Sequence, residues 1–220
     1  MSPRITFENE LKVLQDNVKD MVHLVATDYD KLFWAFYEHN EEEIKNLLYH
    51  EKLITKQQRE IESRCLFLIT KQQPIVGDLR IITASLKVVT DIQRVGDHIS
   101  DMAELLLRLK MKDLDYFSVH VKGMVIATKE MFGEAADTFT DRKLEKAKEV
   151  INLDDVIDEL FHKVKQDLIE SLRREVKDAD ECLDVLMLAK YLEKIGDHAV
   201  NICQWEIFRE TGNMNDIRLL

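Results

Sequence analysis

A chain of 220 residues that is 45% hydrophobic and 33% charged holds enough apolar material for a core and a charged surface and carries few signs of disorder. Only six Gly and two Pro punctuate it, so a β-rich fold with its many turns is excluded and few, long helices remain. The formal charge of −11 argues against nucleic acid, whose binding needs clustered Lys and Arg, and favours cations or basic protein surfaces.

The three cysteines, Cys65, Cys182 and Cys203, lie far apart with no C-x-x-C, the usage of reduced thiols in a cytosolic protein. The opening Met1 to Glu8 lacks the apolar run of a secretion signal. No stretch approaches the roughly 18 uncharged apolar residues of a membrane span. A soluble protein that meets a membrane only through partners is expected.

In chain order, Leu11, Leu14, Val18, Met21, Val25, Leu32 and Phe36 keep a three/four rhythm, broken at Asp28, which predicts helix one over 5–39. Asn40 followed by Glu41-Glu42-Glu43 is a start signal, a capping side chain and then acids where the helix dipole favours them, so helix two should run to about Thr70. Gln72-Gln73-Pro74 closes it. Helix three follows through Asp78-Leu79-Arg80 to about Lys110; it is apolar on nearly every side from Ile81 to Val89, as a central helix is. Lys112 to Asp115 is a polar break. Helix four carries Val121, Met124, Val125, Met131 and Phe139; Thr140-Asp141 is expected to open helix five, with Val156, Ile157, Leu160, Phe161, Val164 and Leu168. Helix six runs from about Ala179 and ends at Thr211-Gly212.

The second half repeats the first. Asp91-Ile92-Gln93-Arg94-Val95-Gly96-Asp97-His98 returns as Tyr191-Leu192-Glu193-Lys194-Ile195-Gly196-Asp197-His198, 100 residues later, and Asp178 stands at the same offset from Asp78. Both copies carry a heptad-like core stripe: Val88, Ile92, Val95, Ile99 and Met102, then Leu188, Leu192, Ile195, Ala199 and Ile202. The expected fold is therefore all-α, six long helices as a tandem pair of antiparallel three-helix bundles, residues 1–111 and 112–220, joined end to end. Glycine inside a helix costs roughly 1 kcal/mol against alanine. Gly96 and Gly196 at matched points thus call for a helix or ligand that approaches the backbone closely.

Opposite the core stripe, Gln93, Asp97, Asp101 and Glu104 share one face of helix three, and Glu193, Asp197, Asn201 and Gln204 take the same places on helix six. Carboxylates at i and i+4 reach over one turn and can close on one cation. Asp154 and Asp158 on helix five have that spacing; Glu51 is the counterpart of Asp154, and Thr55 stands where Asp158 would be matched. Two blander readings remain beside this one. Asp97 can pair with Arg94 and Asp197 with Lys194, leaving a plain helical scaffold, and His98 and His198 read as ordinary polar residues at a bundle surface. A carboxylate-bridged metal enzyme or metal store is the alternative from another class, but it wants two E-x-x-H sets and only Glu159 to His162 is present. No nucleophile elbow, P-loop or dinucleotide fingerprint occurs, and no catalytic residue is expected.

Gln73-Pro74 with Asp78-Leu79-Arg80, then 90–98, and later Tyr191 to Ile202 closely resemble the PhoU family of phosphate-uptake regulators, over the whole chain. The resemblance implies the same tandem three-helix fold. It implies a cytoplasmic, non-enzymatic negative regulator that links the ATPase subunit of the phosphate ABC transporter to the phosphate-sensing histidine kinase, often as a homodimer. It also implies divalent or trivalent metal ions, iron or zinc foremost, on motifs of the form acid-x-x-x-Asp. These stand complete as Glu193 with Asp197 and as Asp154 with Asp158. In the first unit Gln93 and Thr55 break the pattern around Asp97 and Glu51, with Asp101 and Glu104 nearby, so the second unit is expected to be the better metal site.

Overall fold

The computed structural model describes residues 3–72, 74–109, 118–174, 179–214 and 217–218. The helices are α1 (Pro3–Tyr37), α2 (Glu41–Gln72), α3 (Val76–Arg108), α4 (Val119–Asp141), α5 (Leu144–Ile151), α6 (Asp154–Arg174) and α7 (Ala179–Thr211). A two-residue antiparallel ladder, β1 (Asn213–Met214) with β2 (Ile217–Arg218), follows Gly212, whose φ of 78° turns the chain out of α7. The expected boundary between units at 111–112 falls outside the described residues, as does Asp178.

The predicted stripes form the core. Leu11, Leu14, Val18, Met21, Val25, Leu32 and Phe36 of α1 are all buried, as are the five stripe positions of α3 and the five of α7. Each such aliphatic side chain contributes roughly 2 kcal/mol of transfer free energy. The break in the α1 rhythm has a partner of its own: buried Asp28 accepts a hydrogen bond from His50 Nδ1 at 2.8 Å. Asn40 caps α2, its Oδ1 accepting from the Glu43 N–H at 3.1 Å. Asp78 pairs with Arg4 at 2.7 Å and so ties the start of α3 to the start of α1, a structural role for that motif residue.

Three expectations are corrected. Thr140-Asp141 does not open helix five; it ends α4, and Lys143 precedes α5. His39 and Arg142 both take the left-handed conformation, φ 55° and 59°, at the ends of α1 and α4. The chain reversals of the two units are therefore matched 103 residues apart, not 100. Helix five is also two helices: the α5 end tightens through bonds from Asn152 N to Glu149 O and from Leu153 N to Val150 O, and α6 starts afresh at Asp154. Its Val156 is 48% exposed, outside the core.

The third correction concerns the units themselves, which lie side by side. Helices α3 and α7 make the most extensive helix contact and run antiparallel. Arg108 meets Asp184 at 2.7 Å near one end, and Lys87 lies 5.9 Å from the Trp205 ring centre near the other. The pairings are reciprocal: Asp91 contacts His198 and Asn201, while Tyr191 contacts His98 and Asp101. An approximate two-fold axis thus passes between the helices near Gly96 and Gly196. One continuous hydrophobic core spans both units.

Candidate functional site

The two glycines explain how the acids are brought together. A Cβ on Gly96 would lie 2.8 Å from Ile54 Cδ1 of α2, and one on Gly196 would lie 3.1 Å from Ile157 Cδ1 and 3.2 Å from Asp154 Oδ1 of α6. In both units the helix that precedes the glycine-bearing one seats an isoleucine against the glycine, the close approach that its cost in the helix implies. Ile157 stands 103 residues after Ile54, which confirms Glu51 as the counterpart of Asp154 and Thr55 as that of Asp158.

In the second unit this approach sets the start of α6 against the acidic turn of α7. Asp154 Oδ1 is buried without a hydrogen-bond partner. Burial first, then the charges of Asp158, Asp197, Asp155 and Glu193, push its carboxyl up to about 6. Glu193, Asp197, Asp154 and Asp158 are therefore one electrostatic cluster, in which the two carboxylate pairs read separately from the sequence come together. The Lys194 ammonium lies against Asp197 and 3.6 Å from Glu193, and Lys190 also contacts Glu193.

The first unit is built differently. Gln93 Nε2 donates to Asp97 Oδ1 at 2.5 Å, and Arg94 holds the other oxygen at 3.2 Å. Asp101 is raised above its ordinary range by burial and then by Asp97, Glu104 and Glu51, so Glu51 and Asp101 do lie near one another. On its own helix Glu51 has no Asp one turn on, since Thr55 takes that place. Arg80, the remaining motif residue, is half-buried on the second turn of α3, away from either cluster.

Two residues that sequence reasoning set aside belong to the centre of the molecule. His98 and His198 are not surface residues; their side chains are 17% and 18% exposed, with ring centres 5.5 Å apart across the α3–α7 crossing. His198 Nδ1 donates to Asp91 Oδ1 at 2.8 Å, and Asn201 Nδ2 donates to the same oxygen at 3.0 Å. Asn201 therefore serves the crossing rather than the acidic cluster of its own unit. Where Asp91 would recur there is Tyr191, whose ring packs 5.4 Å from His98. His98 Nδ1, 3.8 Å from Asp101, has no hydrogen bond, and burial together with His198 pushes it down to about 4. The Asp91 and Tyr191 difference, at the head of each copy of the repeat, was the available signal for this asymmetry.

Among the described residues no three His, Cys, Asp or Glu side chains are drawn into a metal-ligand arrangement. The chemistry of the second cluster nevertheless fits a hard or borderline cation: four carboxylates, one of them with a buried, unpaired oxygen, and an ammonium already offsetting their charge. Lys194 is 40% exposed, free to swing outward when another cation takes its place. The sole E-x-x-H of the sequence faces away: Glu159 is 68% exposed and paired with Lys163, and His162 Nδ1 donates to the carbonyl of Asp158.

The comparisons with known proteins agree with this architecture. The family model described as PhoU domain matches twice, over residues 18–106 and 121–205. The chain is 30% identical to a phosphate-specific transport system accessory protein PhoU homolog of Clostridium acetobutylicum, covering 97% of this chain and 98% of that protein. A homolog 1 of the same name from Thermotoga maritima is 30% identical, with 98% and 94% covered. The fold matches crystal structures of PhoU from Streptococcus pneumoniae and Pseudomonas aeruginosa, each with a TM-score of 0.87 and 24% identity, over 96% and 94% of this chain and 100% of each. With its two matched units wrapped about one crossing and relatives aligned along nearly its full length, the chain belongs to the PhoU family.

Proposed function

We propose that the chain is a regulatory accessory protein of phosphate uptake, a non-enzymatic adaptor between the ATPase subunit of a phosphate ABC transporter and a phosphate-sensing histidine kinase. The observation that carries this reading is the acidic cluster over Gly196, where Asp154, Asp158, Glu193 and Asp197 meet with too few positive groups to neutralise them. Such a cluster suits a bound cation, iron or zinc foremost, and Glu193, Asp197, Asp154 and Asp158 are the residues that would hold it. The cation supplies the charge that lets an acidic surface accept a partner. The full-length relatives named as accessory proteins of phosphate-specific transport support the role in phosphate uptake.

Gln93, Asp97 and Arg94 satisfy one another in the first unit, so Asp97 there is already partnered, unlike the carboxylates over Gly196. The negative sense of the regulation, the cytoplasmic location and the homodimer are carried over with the family. No described helix is long and apolar enough to cross a membrane, in keeping with contact through partners.

The test is capture of the chain by the tagged ATPase subunit and by the tagged kinase, each with and without chelator. Capture by both, weakened by chelator and by Asp197→Asn, is expected. Failure of either partner to capture the chain in either condition contradicts the adaptor reading.

A further inference from the structure

The outer faces of α2 and α6 hold matched places in the two units, at the offset of 103 residues that Ile54 and Ile157 fix. Both keep large apolar side chains in solvent at the same positions. Leu53 and Leu66 of α2 are 52% and 56% exposed, and their counterparts Val156 and Ile169 of α6 are 48% and 42% exposed. The charges around them are reversed. Lys52, Lys56, Glu60 and Arg64 of α2 stand where α6 has Asp155, Glu159, Lys163 and Asp167. Positions four apart make one ridge on a helix, so the two ridges have opposite sign at every step.

The α2 face is also hollowed. A groove of about 670 Å³ runs between α1 and α2, with Lys56, Arg59, Arg64 and the half-exposed Phe67 in its lining beside Glu10 and Glu60. Arg64 meets Glu10 at 2.7 Å and Lys56 reaches Glu60 at 3.7 Å. Lys52 and Arg59, both exposed, meet no carboxylate among the described residues. On α6, Lys163 holds Glu159 at 2.6 Å, and exposed Asp155 meets no cation among the described residues. The pairs Lys56 with Glu60 and Glu159 with Lys163 are exposed and join residues one turn apart, so they are weak and yield to an opposing face.

We propose that the groove between α1 and α2 receives the outer face of α6 from a second copy of this chain. Two chains of net charge −11 repel one another over most of their surfaces. Setting Lys52, Lys56 and Arg59 against Asp155 and Glu159 replaces that repulsion with attraction, and Leu53, Phe67 and Val156 lose water where the faces meet. The occupant is a second copy because α6 carries the complement of this ridge, with apolar residues at the matched positions. One helix laid on a groove buries less than an obligate dimer does, so the association is weak and falls with salt. The inference adds a surface for self-association and rests on neither the adaptor reading nor a bound cation.

Sedimentation velocity of the full chain over a range of concentrations, with chelator present throughout, tests it. Association that rises with concentration is expected, weaker by about tenfold or more when salt is raised from about 50 mM to about 500 mM. Lys52→Glu with Lys56→Glu makes both faces acidic, and Asp155→Lys with Glu159→Lys makes both basic. Each double variant alone should associate at least tenfold more weakly than wild type, while an equal mixture of the two should recover association to within about threefold of it, because each then supplies the face the other lacks. Leu53→Glu, at an exposed position, should weaken wild-type association and leave the helical circular dichroism unchanged. A wild type that stays monomeric up to roughly 1 mM, double variants that associate as wild type does, or a mixture no stronger than its components would overturn the proposal.

Discussion

The two halves of the molecule share the positions that packing requires and part company where charge is placed. Gly96 and Gly196 receive Ile54 and Ile157 alike, and the stripes of α3 and α7 are equally buried. Around that common frame, Gln93 faces Glu193 in the alignment of the copies, Thr55 faces Asp158, Asp91 faces Tyr191, and Leu106 with Leu109 faces Glu206 with Arg209. The first copy neutralises its Asp97 locally through Gln93 and Arg94, and the second accumulates carboxylates that need a cation. Duplication gives the fold twice; the divergent positions then assign each copy its own work.

The largest effect is expected where the second copy buries an ion pair that the first lacks. Burial pushes the Glu206 carboxyl up to about 7 and the Arg209 guanidinium below its ordinary value. Arg209→Leu alone leaves a buried carboxylate without its partner and should cost about 3 to 5 kcal/mol in chemical denaturation. The double change Glu206→Leu with Arg209→Leu, which copies the first unit, should be neutral or stabilise by about 1 to 4 kcal/mol. A double variant as damaged as the single would show that the pair, not the loss of one charge, holds the junction.

Tyr191→Asp makes the crossing symmetric by giving His98 the acceptor that His198 has in Asp91. His98 should then titrate about one unit or more above its present value near 4, read from its ring protons by NMR, because a carboxylate beside it favours the charged form. An unmoved His98 would mean that burial alone sets it.

Asp154 gives the pH dependence of the second unit. Its carboxyl is raised in the folded protein, from an ordinary 3.8 to about 6, so its contribution favours folding below about pH 4 and is lost as pH rises through 6. In metal-free protein, Asp154→Asn should match wild type in melting temperature at pH 4 and exceed it above pH 6. The group is partly solvated, which holds the gain to about 1 kcal/mol or less, or roughly 2 to 4 °C. Saturating cation should abolish the difference or reverse its sign. The smallest effect separates the glycines: Gly96→Ala meets Ile54 at 2.8 Å and should cost about 1 kcal/mol net of the better helix propensity, and Gly196→Ala, with contacts from 3.1 Å, should cost less.

Much of this was legible in the sequence, for a definite reason. Stripes at helical spacing fix which face of a helix is buried, so the α1, α3 and α7 cores followed from Leu11 to Phe36, Val88 to Met102 and Leu188 to Ile202. A costly residue in both copies marked Gly96 and Gly196 as points of close approach. Periodicity says nothing of which helix a face meets. The antiparallel pairing of α3 with α7 was therefore hidden, and with it the burial of His98 and His198 and the link from Asn201 to Asp91. Caps are local and weak, so Thr140-Asp141 passed for a helix start until the left-handed Arg142 showed the reversal two residues further on. The acidic cluster was visible as spacing. Its approach to Asp154, through an isoleucine seated on a glycine, needed three dimensions.

The most direct test of the asymmetry is elemental analysis of protein purified without chelator or metal-affinity resin, for wild type, Asp197→Asn and Asp97→Asn. Metal bound by wild type, retained by Asp97→Asn and lost chiefly from Asp197→Asn is the predicted result. Metal-free wild type, equal content in all three, or loss chiefly from Asp97→Asn would contradict the assignment of the second unit as the cation site.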